Sequence, residues 1–102
     1  MDKIKIFKAL GNKNRLNILL WLKDPKNKFD PQHLSVDDDF QGGVCVSSIR
    51  KTAGLSQSTI SEFLSILQEA KLVESKCIGQ YTYFRRNEKT IREIAKWMEL
   101  EF

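Results

Sequence analysis

Only two cysteines, Cys45 and Cys77, and one histidine, His33, occur among the 102 residues. A zinc site built from Cys and His alone needs four such ligands, so one chain cannot supply it, and two cysteines make no disulfide framework. A catalytic triad would have to use His33 as its base, and neither a glycine-rich phosphate loop nor paired catalytic carboxylates occur. No enzyme, metal or cofactor is therefore expected. Long apolar runs are also lacking: the longest is Ile18 to Leu22, against the roughly 20 residues of a membrane span. The first ten residues alternate lysines with apolar side chains and form no signal-peptide h-region. A cytoplasmic protein without a membrane partner is the expectation.

What is present fits one globular domain over residues 1–102, with a core small enough that a partner surface would add to its stability. The net charge of +4 suggests a polyanionic partner and is unevenly spread. Residues 1–28 carry eight basic and two acidic side chains, whereas residues 29–42 carry four acidic and no basic ones. That acidic stretch holds Asp30, Asp37, Asp38 and Asp39 beside Pro25 and Pro31 and ends at Gly42-Gly43, so it reads as a long surface loop.

Apolar residues at Ile4, Phe7 and Leu10 recur at three-residue steps and predict a short amphipathic helix that Gly11-Asn12 stops. Asn14 is placed to cap a second helix from Arg15 to Leu22, apolar on most sides and expected to be the central core helix. Val44 to Thr52 predicts a third helix, and Ser56 opens a fourth, in which Ile60, Phe63, Leu64 and Leu67 follow i, i+3, i+4, i+7 spacing. Two strand-like runs, Val73 to Cys77 and Tyr81 to Arg85, flank Ile78-Gly79-Gln80 and predict a β-hairpin. Ile91, Ile94, Ala95 and Met98 then mark a last amphipathic helix from Glu88 to Leu100. The fold class is mainly α (α+β), in the order ααααββα.

The third and fourth helices are separated by Ala53-Gly54-Leu55, where glycine supplies the tight turn of a helix-turn-helix. Such a pair presents the second helix to the DNA major groove while the first crosses the backbone. Its exposed positions, Ser56, Gln57, Ser58, Thr59, Ser61, Glu62 and Ser65, are mostly short hydrogen-bonding side chains suited to bases and phosphates. The hairpin downstream reads as a wing, with Lys76, Arg85 and Arg86 joining Lys51 as phosphate contacts, about eight in a dimer. This is a winged helix-turn-helix, and double-stranded DNA is the expected partner.

Several runs of the chain resemble the ArsR/SmtB family of winged-helix transcriptional repressors: residues 9–19 from Ala9-Leu10-Gly11 to Ile18-Leu19, then Leu55-Ser56-Gln57-Ser58-Thr59-Ile60-Ser61, Ala70-Lys71-Leu72-Val73, and Gly79-Gln80-Tyr81-Thr82-Tyr83-Phe84. The resemblance implies a homodimer formed by the first and last helices, bound to an inverted-repeat operator and released by an inducer. On this chain the interface would comprise Ile4, Phe7, Leu10, Ile91, Ile94, Trp97 and Met98. Metal-sensing members often carry two cysteines one residue apart in the third helix, and here Val44-Cys45-Val46-Ser47 has serine in the second place. Others use histidines on the last helix, which has none here. The loop from Asp24 to Gly43 is longer than usual in the family, and Glu62 stands where many members carry histidine.

Cys45 admits a structural reading, as core wall, beside a sensor-thiol reading, since a helix N-terminus lowers a thiol pKa. An intrachain disulfide to Cys77 is not expected. His33 and its neighbouring aspartates lack the spacing of a calcium loop and read as a solvated acidic loop. The competing functions are a winged helix turned protein-interaction module, using the basic amino-terminal segment, and a redox-sensing repressor using Cys45.

Overall fold

The computed structural model describes residues 1–34 and 38–102; Asp37 of the acidic run lies outside them. Asp2 caps a first helix, α1 (Lys3–Leu10), by accepting from Lys5 N. The second helix, α2 (Lys13–Trp21), is capped by Asn12, whose side chain accepts from the N–H groups of Asn14 and Arg15. The cap therefore lies two residues before the expected Asn14. Starting the helix there places Arg15 to reach back to the end of α1, where its guanidinium donates to Ala9 O at 2.7 Å and Lys8 O at 3.1 Å. A helix end leaves such carbonyls without their i+4 donors; Lys8 O also accepts from Gly11 N at 3.2 Å. Arg15 also lies 5.2 Å from the centre of the Phe63 ring, so one cation ties three helices together.

A one-turn helix, α3 (Pro25–Lys28), follows. The acidic loop after it is held at both ends by Phe29 and Phe40, both buried. Gly43 is the residue that admits the Phe40 ring: a Cβ there would stand 2.5 Å from it. Val44 does not begin the third helix. With Cys45 it forms a short strand, β1 (Val44–Cys45), paired antiparallel with Phe84 and Tyr83, a long-range ladder that local periodicity cannot report. Helix α4 (Val46–Ala53) then ends at Gly54, whose φ of +68° is the left-handed conformation that glycine adopts without strain. Helix α5 (Gln57–Glu69) leads into the hairpin β2 (Val73–Ile78) and β3 (Tyr81–Arg86), and helix α6 (Glu88–Glu101) closes the chain. Gly79, at φ +63°, makes the hairpin turn, and the sheet order is β1-β3-β2.

The expected order ααααββα is thus present, with α3 and β1 added to it. The central helix is α5 and not α2. Ile60, Leu64 and Leu67 of α5 are buried, and it packs against α1, α2, α4 and β2. Helix α2 contributes Ile18 and Leu19 to the core but leaves Leu16 and Leu20 exposed, because its apolar residues outnumber the contacts one chain provides. No helix among the described residues is long and apolar enough to cross a membrane.

Candidate nucleic-acid interface

Ser56 fixes the start of α5. Its hydroxyl accepts from Thr59 N at 3.3 Å and donates to Thr59 Oγ1 at 2.9 Å, so two of the expected contact residues are joined in the cap and Thr59 is half-buried. Gln57, Ser58, Ser61, Glu62 and Ser65 are exposed, on the side of α5 that Ile60, Leu64 and Leu67 leave outward. The Gln57 amide donates to Ser61 Oγ across one turn at 3.2 Å. This exposed face of α5 is therefore polar, short and pre-ordered.

In the wing, side chains directly opposite one another share a face. The register pairs Glu74 with Arg85 and Lys76 with Tyr83, which puts Tyr81, Tyr83 and Arg85 with Lys76 and Cys45 on the sheet face opposite Phe84; Tyr83 on that face is buried, whereas Tyr81 and Lys76 are exposed. Lys76 is exposed and has no ion-pair partner among the described residues. The arginines are placed differently. Arg85 pairs with Glu74 at 2.7 Å, donates to Gln41 O at 3.2 Å and stacks on the Phe40 ring at 4.1 Å. Arg86 holds both carboxylate oxygens of Glu88, at 2.9 and 3.1 Å, with its side chain 11% exposed. Both sit at the base of the hairpin, where they bind the wing to the long loop and to α6, and neither presents a free guanidinium. Lys51 reaches Asp30 at 3.1 Å, but both side chains are largely in solvent, where such a pair contributes little and is readily exchanged. Arg50, which was not among the phosphate contacts expected from the sequence, is exposed in the last turn of α4 and has no such partner among the described residues.

A cleft of about 430 Å³ separates α5 from the wing, lined by Gln57, Ser61, Gln80, Tyr81 and Thr82, with Cys45 at its wall. Cys45 Sγ lies 3.2 Å from the hydroxyls of both Ser47 and Ser48. Burial pushes this thiol up, but hydrogen bonds from the Ser47 and Ser48 side chains and backbone N–H groups outweigh it and hold the pKa below the ordinary thiol value. Its backbone N–H donates to Gln32 Oε1 at 2.9 Å, and the same amide donates to Ser48 Oγ at 3.2 Å. The long loop thereby clamps the first turn of α4. Cys77 pairs in register with Thr82 and Cys45 with Tyr83. Adjacent β3 residues point to opposite faces, so the two sulfurs are kept apart. Because its thiolate accepts these hydrogen bonds, Cys45 should be alkylated by iodoacetamide with a midpoint below the ordinary thiol range, about 8.5. Ser47→Ala should move that midpoint upward. Peptide mass spectrometry across pH reads both, and a profile rising at or above the ordinary range contradicts the stabilised thiolate.

The terminal helices meet through their aromatic side chains. Phe7 and Trp97 rings are centred 6.3 Å apart, Trp97 and Phe102 5.8 Å, and Lys3 Nζ lies 4.9 Å from the Trp97 ring centre. Ile4, Phe7, Met98, Leu100 and Phe102 remain exposed around this cluster, while Leu10, Ile91 and Trp97 are partly buried. Ile94 departs from the expected set: it is 7% exposed and belongs to the core of its own chain, since it lies on the side of α6 turned inward.

A capped helix after a glycine turn, with a two-stranded wing beside it, defines a winged helix-turn-helix DNA-binding protein. The model of the bacterial regulatory protein, arsR family, matches residues 40–75. The uncharacterized HTH-type transcriptional regulator YbzH of Bacillus subtilis is 44% identical over 101 residues, 99% of each chain. The transcriptional repressor SdpR of Bacillus subtilis is 27% identical over 70 residues, 68% of this chain and 78% of that one. Among solved structures, the homodimeric winged helix-turn-helix DNA-binding domain Mb0332 of Mycobacterium bovis superposes with a TM-score of 0.66 at 28% identity, covering 95% of this chain and 75% of that one. The chain belongs to the ArsR family: it is a DNA-binding transcriptional regulator, of a family of regulators and not of enzymes.

Proposed function

We propose that the chain acts as a homodimeric repressor that reads an inverted-repeat operator with α5 and leaves it when an effector is bound. The observation that carries this reading is the outward row Gln57, Ser58, Ser61, Glu62 and Ser65 on a helix whose opposite side is core. Repression is consistent with the likeness to SdpR, and dimerisation with the homodimeric Mb0332 domain and with the exposed apolar residues of α1 and α6. Two-fold symmetry then places equivalent reading helices on half-sites about one helical turn, or a multiple of it, apart. The residues proposed to meet DNA are Gln57, Ser58, Ser61 and Glu62 at bases, with Ser65, Arg50, Lys51 and Lys76 at the backbone. Ser47 stands where a second thiolate would be needed beside Cys45, so arsenite or zinc capture at this helix is not part of the reading.

Gln57 can pair bidentately with adenine, whereas Glu62 only accepts, favouring a cytosine amino group and repelling phosphates. Gln57→Ala should cost about 1–3 kcal/mol on the preferred operator and little on random DNA. Glu62→Gln should tighten both and relax discrimination at one base pair. Fluorescence anisotropy on an operator selected from a random library measures these differences. Equal losses on both DNAs after Gln57→Ala, or a selection that yields no inverted repeat, would remove α5 from the reading role.

A further inference from the structure

Among the described residues, no lysine, arginine, aspartate or glutamate lines the cleft of about 430 Å³ between α5 and the wing. Its polar lining consists instead of the hydroxyls of Ser47, Ser61, Tyr81 and Thr82 and the amides of Gln57 and Gln80. Four of these six are engaged: Gln57 with Ser61, Ser47 with the Cys45 thiol, and Thr82 with the Cys77 thiol. The Tyr81 hydroxyl and the Gln80 amide make no hydrogen bond among the described residues. Both belong to the wing side of the cleft.

Tyr81 is held in place although it is 46% exposed. Its ring rests edge-on against that of Tyr83, with centroids 6.4 Å apart and planes inclined by 67°, and Tyr83 is buried. An exposed phenol on a fixed base presents an apolar ring with a polar tip and has little freedom left to lose on binding. A helix seated in the major groove has a phosphate strand along each side of it, so an element facing that helix across a cleft stands on the far side of one strand. Phosphate oxygens only accept hydrogen bonds. Tyrosine hydroxyls and glutamine amides donate to them as lysine does, but bring no charge.

We infer that this cleft seats one phosphate strand of the DNA duplex, and that Tyr81 and Gln80 are further contacts that grip the strand without charge. This role rests on the placement of α5 in the major groove proposed above and extends it to two residues of the wing. A lysine on a phosphate releases a condensed cation and weakens as salt rises, whereas an uncharged donor releases none. The contacts of Arg50, Lys51 and Lys76 therefore fade with salt, and the grip of the cleft does not. Cys45 lies at the wall of the same cleft, so a negative charge fixed on its sulfur faces the strand and repels it.

Tyr81→Phe removes one hydroxyl and keeps the ring on Tyr83. It should weaken operator and random DNA alike, about tenfold for each protomer and so about a hundredfold for the dimer, with the salt slope unchanged within about 0.5. Tyr81→Lys, which puts a cation at the same place, should steepen the dimer's slope by about 2. In a Cys77→Ser background, iodoacetate and iodoacetamide leave adducts of nearly equal size on Cys45, one anionic and one neutral. The anionic form should bind DNA at least about tenfold more weakly than the neutral one. Fluorescence anisotropy with the full-length protein at several salt concentrations reads all three. Affinity within about twofold of the parent after Tyr81→Phe, an unchanged slope after Tyr81→Lys, or equal binding by the two adducts overturns the cleft as a phosphate seat. Phosphate contacts are independent of sequence, so random DNA reports them separately from base reading. If Gln57→Ala weakens both DNAs equally while the Tyr81 effects stand, base reading by α5 fails and the cleft survives; if Gln57→Ala discriminates and Tyr81→Phe is silent, the reverse holds.

Discussion

Ile4→Asp combined with Met98→Asp should convert the dimer to a monomer and lower affinity for a two-half-site operator by about 10²–10⁴-fold. Both positions are exposed on the single chain, at 66% and 37%, so within a monomer the substitutions meet water and disturb the core little. In the dimer the same positions are proposed to lie against a second copy, where an ionised carboxylate must be stripped of water without a partner. The loss on DNA follows from linkage. In a dimer the second half-site is captured at the high effective concentration set by its tether to the first, and a monomer forfeits that gain without losing any contact of its own reading helix. Sedimentation should drop from about twice 11.9 kDa to the monomer mass, far-ultraviolet circular dichroism should stay unchanged, and affinity for an isolated half-site should stay within about threefold. A variant that remains dimeric, or a monomer that holds the full operator as tightly as before, refutes the assignment of α1 and α6 to the interface.

Helix α5 was legible in the sequence because everything that defines it is local. Gly54 marks the turn, Ser56 the cap, and the spacing of Ile60, Leu64 and Leu67 the buried side, all within one stretch of chain. The wing was legible for a similar reason, since Gly79 sits between two runs of strand character. The partners of charged side chains were not legible. Nothing near Arg85 in sequence announces Gln41 or the Phe40 ring, 44 and 45 positions earlier, and Arg86 is silenced by a glutamate two residues on whose reach depends on where α6 starts. Arg15 was quoted as part of a family run, but its work at the end of α1 requires knowing that α2 turns back on α1. Strand β1 escaped notice because two residues carry no period, and α2 was overrated because apolar content does not tell which residues one chain can cover. Ile94 shows the converse: its spacing marks an apolar side of α6 but cannot separate the part facing the core from the part left for a second copy.

The pairing of the two wing arginines changes the electrostatic expectation for DNA binding. With Lys51, Lys76, Arg85 and Arg86 all on phosphates, a dimer would make about eight contacts, and log K would fall against log salt with a slope near −7. Arg85 and Arg86 are spent on Glu74, Gln41 and Glu88, and Arg50 enters in their place. Three cations per protomer, Arg50, Lys51 and Lys76, give about six contacts, a slope near −5, and about three decades of affinity lost between 50 and 200 mM salt. Lys76→Ala, present twice in the dimer, should flatten the slope by about 2 and weaken specific and random DNA alike. Arg86→Ala should leave the slope within about 1 of the parent, because its guanidinium releases no DNA counterion. Its effect should appear instead in thermal stability, since Glu88 loses a bidentate partner that is nearly out of solvent on the arginine side. Titrations of both variants and the parent at four or five salt concentrations decide the matter. A parent slope near zero would favour the protein-interaction alternative, and a slope that flattens with Arg86→Ala as much as with Lys76→Ala would mean that the Arg86–Glu88 pair opens when DNA arrives.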